Sequence, residues 1–227
     1  VIGLSPSRIR SVAVLGAHPD DIAIGAGGTL LDLTRGGDVE VHALVLSGGG
    51  TEREAEERKA LSDFCSDGPV SLTVLDVPDG RSPDHWSAVK NGLEQFRRTC
   101  EPDVVLAPQR RDAHQDHRLL AELVPTVFRD HLVLGYEIVK WESDLPTPGL
   151  YYPLADDVAV HKAELLSRHY PSQHHHDWYD SETFLGLARV RGVQCRSRYA
   201  EAFVVEKILL HTENLRSDRP APQTKGS

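Results

Sequence analysis

The chain alternates short apolar runs with longer helical stretches, and that rhythm leaves few folds open. Residues 12–16 (Val-Ala-Val-Leu-Gly) are apolar throughout, as a strand covered on both faces must be. A turn and a helix over 25–35 follow, then a strand over 39–46 and a Gly48-Gly49-Gly50 loop. A charged helix capped near Thr51 runs to about residue 65, and a third strand covers 71–77. A helix over 83–99 has Asp84 in its first turn, where a carboxylate suits the helix dipole. A fourth strand covers 104–107, a helix covers 117–129, and a fifth strand covers 133–139. Pro125 should kink the 117–129 helix. Strands separated by helices imply βαβ units with right-handed crossovers. The expected fold is therefore α/β: a three-layer α/β/α sandwich, Rossmann-like, with a mostly parallel sheet in the order 3-2-1-4-5.

After Trp141 the rhythm changes. Pro146 and Pro148 mark a loop, 150–154 reads as a strand, 158–169 and 182–190 as helices, and 202–209 as a strand. This C-terminal extension is expected to cover one sheet edge and wall the pocket. Residues 1–211 are read as a single domain and the polar, Pro-bearing 212–227 as a disordered tail.

The order 3-2-1-4-5 has its switch point between strands one and four, where ligands bind at the carboxyl ends. Ala17-His18-Pro19-Asp20-Asp21 follows the first of these strands, and His114-Gln115-Asp116-His117 follows the other. A hydrolytic zinc takes three ligands from His, Asp and Glu and keeps a position for water. His18 and Asp21 lie three apart on a tight turn, and His117 comes from the other loop. The expected metal set is His18, Asp21 and His117. Two neutral imidazoles and one carboxylate leave a net positive complex, which lowers the pKa of a bound water toward ~7. Iron(II) suits the same donors. Asp20 is then the expected general base. His114, if protonated, would steady an oxyanion or supply a proton to a leaving amine. Asp116 would hold His114 in one tautomer and raise its pKa. Taken singly, the first motif reads as a turn and the second as a helix start with Asp116 as N-cap. It is their joint placement that points to a site.

A formal charge of −9, with no Lys/Arg-rich block, argues against a nucleic-acid partner. No apolar run approaches the ~20 residues of a membrane helix. The N-terminus lacks the pattern of a secretory signal, and Cys65, Cys100 and Cys195 form no CxxC, so reduced thiols and a cytoplasmic setting are expected. Whether the chain forms a homo-oligomer is left open.

At these residues the chain resembles the LmbE/PIG-L family of zinc-dependent de-N-acetylases, which includes mycothiol- and bacillithiol-type and antibiotic-sugar deacetylases. The family's AHPDDE and following Gly-Gly are similar to residues 17–21 and Gly27-Gly28, and its HxDH to residues 114–117. An RxxExxxA pattern matches Arg53, Glu56 and Ala60; a late signature matches His169 and Ser172-Gln173; a YAE-F ending matches Tyr199-Ala200-Glu201 and Phe203. The resemblance implies zinc on His18, Asp21 and His117, with water attack assisted by Asp20 and His114. The implied substrate is a small glycoside bearing an N-acetyl-hexosamine of the GlcNAc type. Arg53 resembles the family's substrate-binding arginine and Asp79 a residue that binds sugar hydroxyls. The plainer readings are a surface ion pair for Arg53 and a turn for Asp79. The chain departs from the family at Ile22, where an acid is usual. A catalytically weakened metal- or sugar-binding homologue is thus one alternative. A dinucleotide-binding oxidoreductase is another, opposed by two carboxylates where a pyrophosphate would sit. His174-His175-His176 reads as a solvated loop, and Trp178 and Tyr179 as residues that stack on a sugar or pack.

Overall fold

The computed structural model describes residues 9–209. The elements run β1 (Ser11–Gly16), α1 (Asp21–Leu33), β2 (Glu40–Val45), α2 (Glu52–Phe64), β3 (Val70–Val74), α3 (Trp86–Arg97), β4 (Val104–Pro108), α4 (Gln115–Val127), β5 (Leu132–Tyr136), β6 (Leu150–Leu154), α5 (Asp156–His169), α6 (Ser181–Cys195) and β7 (Tyr199–Val205). The sheet order is β3-β2-β1-β4-β5-β7-β6. The first five strands pair in parallel, as expected, while β7 lies antiparallel to both β5 and β6. The C-terminal extension therefore continues the sheet beyond β5.

Side-chain alternation along β1 divides the interior in two. Val12 and Val14 join α1, α2 and α5 residues such as Leu30, Phe64 and Leu166. Ala13 and Leu15 join Leu93 of α3 and Leu120 and Val124 of α4. Both faces of β1 are covered, which is why its sequence is apolar without a break. Each fully buried leucine among these contributes ~1.5–3 kcal/mol.

Several boundaries differ from the sequence reading. Helix α1 begins at Asp21, four residues before position 25, because Asp20 adopts a left-handed conformation (φ 103°) and its carbonyl accepts the Ile24 N–H at once. Gly27 and Gly28 lie in the middle of α1. They admit close neighbours: a Cβ on Gly28 would fall 2.6 Å from Leu154 Cδ1 and 3.1 Å from Glu201 Oε1. The stretch expected as one helix over 83–99 divides into a 3-10 turn, Ser82–His85, and α3. Helix α4 starts at Gln115 and stops two residues past Pro125. Strand β7 spans Tyr199–Val205 rather than 202–209, and α6 runs on to Cys195. The tail expected over 212–227 lies outside the described residues.

Candidate metal-centred active site

The turn after β1 is built by its own carboxylate. Asp21 Oδ2 accepts the amides of Ala17 (2.8 Å) and His18 (2.9 Å), which folds the side chain back into the turn. From α4, His117 Nε2 comes within 3.2 Å of the same oxygen. His18 Nδ1 lies 3.1 Å from His117 Nε2 and 3.6 Å from Asp21 Oδ2. These three atoms form a triangle with sides of 3.1, 3.2 and 3.6 Å. Donors at ~2.0–2.2 Å from a tetrahedral zinc stand about 3.3–3.6 Å apart. The residues present thus fit one face of such an ion. His18, His114 and His117 also offer ring nitrogens within 4.8 Å of one another, as do the ligating atoms of His18, Asp79, His114 and Asp116. The second group is the more open, since Asp79 is exposed. The His18, Asp21 and His117 triangle is the less exposed set.

Electrostatics follow from burial and pairing. Burial pushes the Asp21 carboxyl up, but His117 and His18 outweigh it and hold it well below the usual range. Burial opposes charge on His117, yet Asp21 and Asp112 raise it to about 9. Asp20 is 6% exposed. Burial pushes it up to about 7 despite the pull of Arg53.

Arg53 does more than pair on the surface. Its Nη2 reaches Asp20 Oδ2 at 3.1 Å and also contacts the Pro19 carbonyl. Its Nη1 donates to Glu56 Oε2 (3.0 Å) and Ser172 Oγ (2.8 Å). Glu56 in turn accepts the Ser172 amide and hydroxyl. The RxxE pattern and the Ser172-Gln173 signature thus meet in one brace beside Asp20. Asp79 Oδ1 lies 3.1 Å from His18 Nε2 at the mouth, its side chain 78% exposed.

Asp116 and His114 are arranged differently from the expectation. The Asp116 carboxylate accepts the amides of Gly80 (2.8 Å) and Ser82 (3.0 Å) and meets His18 Nε2 at 3.1 Å. Those partners tie the 80–82 turn to the site and hold the carboxylate on His18. His114, not Asp116, is the N-cap of α4: its Nδ1 accepts the Asp116 N–H at 3.3 Å. Burial, with the neighbouring His18 and His117, lowers the His114 pKa instead of raising it. A neutral ring accepting at Nδ1 carries its proton on Nε2. His114 is therefore set up as a neutral donor.

Sequence reasoning missed Asp112. Its Oδ1 lies 3.1 Å from His117 Nδ1 and 3.1 Å from Lys140 Nζ, and it accepts the His114 amide at 2.8 Å. A carboxylate five residues before His117 was the available signal. Of the loop residues, His176 stacks on Trp178 (5.9 Å, 11°) and packs edge-on to Trp141 at 5.0 Å. Tyr179 is buried and joins the core. Glu201 of the YAE-F ending sits away from the triangle: it accepts the amides of Gly28 and Thr29, the Thr29 hydroxyl and Lys162 Nζ, and so clamps α1.

A family model described as "PIG-L: GlcNAc-PI de-N-acetylase" matches residues 13–128. The diacetylchitobiose deacetylase of Thermococcus kodakarensis is 27% identical over 236 residues, covering 89% of this chain and 86% of its own. The N,N'-diacetylchitobiose deacetylase from Pyrococcus horikoshii has a TM-score of 0.67 at 21% identity, covering 87% of this chain and 84% of its own. The 4-carboxy-2-hydroxymuconate hydratase from Pseudomonas putida KT2440 has a TM-score of 0.68 at 18% identity, covering 89% of this chain and 98% of its own. The two structures share the fold and carry different chemistries, as sites grafted on one fold do. The family match is of another kind, because its span takes in both turns, Arg53, Asp79 and the parallel strands that bring them together: the chain belongs to the PIG-L family.

Proposed function

We propose that the protein is a metal-dependent amidohydrolase that removes the acetyl group from the N-acetyl-hexosamine unit of a small glycoside. The observation that carries this reading is the buried triangle of His18, Asp21 and His117 with the braced carboxylate of Asp20 beside it. His18, Asp21 and His117 would hold zinc, or iron(II). When bound there, the cation supplies Lewis acidity and lowers the pKa of a water toward ~7.

The chain's own residues do the rest. Asp20 takes the proton of the attacking water and returns it to the departing amine, a role that suits a carboxyl pushed up to about 7. Arg53 fixes the Asp20 carboxylate. His114 donates its Nε2 proton to the oxyanion, with its tautomer set by the Asp116 amide. Asp112 and Asp116 orient His117 and His18 from behind. Asp79, exposed beside His18, receives sugar hydroxyls, and Trp141, exposed and packed edge-on to His176, offers the sugar an apolar face.

Residues 1–211 are proposed to act as one domain, working in the cytoplasm. Support for the setting comes from the three free cysteines. The likeness to the diacetylchitobiose deacetylase of Thermococcus kodakarensis supports an N-acetylated sugar as substrate.

The test is acetate release across a panel of N-acetylglucosaminides, abolished by a chelator and restored by zinc. Asp20→Asn should keep the metal and lose ~10²–10⁴ in rate. A near-normal rate for this variant would sink the assignment of Asp20.

A further inference from the structure

Glu57 looks like one more surface charge in the run Glu52-Arg53-Glu54-Ala55-Glu56-Glu57-Arg58-Lys59. In the fold it is 0% exposed. Its Oε2 accepts the Asp20 N–H at 2.9 Å and the Tyr170 hydroxyl at 2.6 Å. Its Oε1 is buried with no hydrogen-bond partner. Burying a carboxylate with half its acceptors unused is costly and calls for a reason.

The reason lies in what it grips. Asp20 is one of two non-glycine residues with positive φ among those described. The other, Arg196, ends α6, where a left-handed residue is an ordinary stop. Asp20 has no such excuse: a left-handed L-residue is unfavourable and persists where its surroundings impose it. Both ends of its backbone are pinned, the carbonyl by the Ile24 amide of α1 and the amide by Glu57 of α2. That conformation turns the side chain toward Arg53. Ile22, where the family pattern has an acid, is fully buried in the apolar cluster and donates or accepts nothing through its side chain. The buried acid behind this turn comes from α2 instead.

We infer that Glu57 is the positioning residue of Asp20: its Oε2 holds the Asp20 amide in the left-handed turn that aims the carboxylate. The inference rests on the proposed role of Asp20, and the experiment separates the two. Wild type, Asp20→Asn, Glu57→Ala, Glu57→Gln and a Glu57→Leu/Tyr170→Phe double variant are zinc-loaded and compared for kcat, KM, zinc content and thermal melting. Glu57→Ala should lower kcat by ~30- to 100-fold with KM little changed and zinc retained, as misplacement of a reacting group does. Glu57→Gln keeps an oxygen for both donors and should stay within about fivefold of wild type. The double variant keeps the volume without orphaning the Tyr170 hydroxyl; it should match Glu57→Ala, and it decides the matter should that variant not fold. Loss of kcat in Asp20→Asn alone, with the alanine or double variant near wild type, overturns the inference about Glu57. So does a Glu57→Gln variant as slow as Glu57→Ala, since that would make charge rather than the acceptor oxygen the need. A wild type that releases no acetate, or an Asp20→Asn variant at near-normal rate, overturns the role of Asp20 and the inference with it.

Discussion

Metal binding at the triangle should displace one proton. His18 Nδ1 and His117 Nε2 face each other at 3.1 Å, a contact that needs one N–H and one lone pair. Their outer nitrogens face carboxylates, Asp116 for His18 and Asp112 for His117. With a proton on each outer nitrogen and one shared between the rings, the pair carries a single positive charge. The nearby Asp21 carboxylate stabilises that charge at 3.2–3.6 Å. Burial opposes charge on both rings, but the carboxylates raise His18 well above its ordinary value and His117 to about 9, and the 3.1 Å contact between the rings leaves room for only one of those extra protons. The sign follows. The proton favours the metal-free protein below about pH 9, so zinc affinity rises with pH and levels off above it. One released proton gives a tenfold gain per pH unit. At pH 6 the proton opposes the ion by roughly 4 kcal/mol, three pH units at about 1.4 kcal/mol each. Calorimetric zinc titration at ~pH 6, below the titration of a bound water near 7, counts protons directly when repeated in buffers of different ionisation enthalpy. The expected count is one in Asp20→Asn, which removes a neighbouring carboxyl that itself titrates near 7. A count near zero, or affinity flat between pH 5.5 and 6.5, would refute the shared proton, and a count near two would show that the rings charge independently. Asp112→Asn should lower the His117 pKa and flatten the pH dependence.

Two further outcomes are expected. Lys162→Met leaves Glu201 buried without its 2.6 Å counter-charge, so stability to urea should fall by ~3 kcal/mol or more, and Lys162→Met/Glu201→Gln should recover part of it; equal stability of the single variant and wild type would contradict this. Trp141→Ala should raise KM about 3- to 10-fold for a disaccharide substrate, as loss of a stacking face does, and leave that for N-acetylglucosamine itself unchanged; equal effects on both sugars would remove Trp141 from the proposed sugar contact.

The parallel core was legible because β1, β2 and β4 are buried on both faces and the strands are separated by helices, so periodicity and topology carry the same message. The pairing of the two turns followed from that order, which sets β1 beside β4. The start of α1 was not legible, since nothing local marks Asp20 as left-handed; a glycine there would have. The two strands β6 and β7 were read, β7 with both ends displaced, but their antiparallel pairing was not, because neither strand's own sequence says which neighbour it will take.

The charged residues were the hardest to place. Glu56, Glu57 and Asp112 are all nearly or fully buried, yet each has neighbours in sequence that look like a solvated surface. A helix such as α2 shows no apolar stripe strong enough to announce which face turns inward. Its inward face carries Ala60, Leu61 and Phe64 for the core, Glu56 for Arg53 and Ser172, and Glu57 for the turn after β1. The acids that organise the site are therefore told from surface acids by what packs over them. Arg53, Ser172, Tyr170 and the Asp20 amide are those neighbours, and they arrive from separate parts of the chain. The same reasoning explains why Ile22 need not signal an idle site: a carboxylate required behind the turn can be delivered by any element that passes there, and α2 passes there.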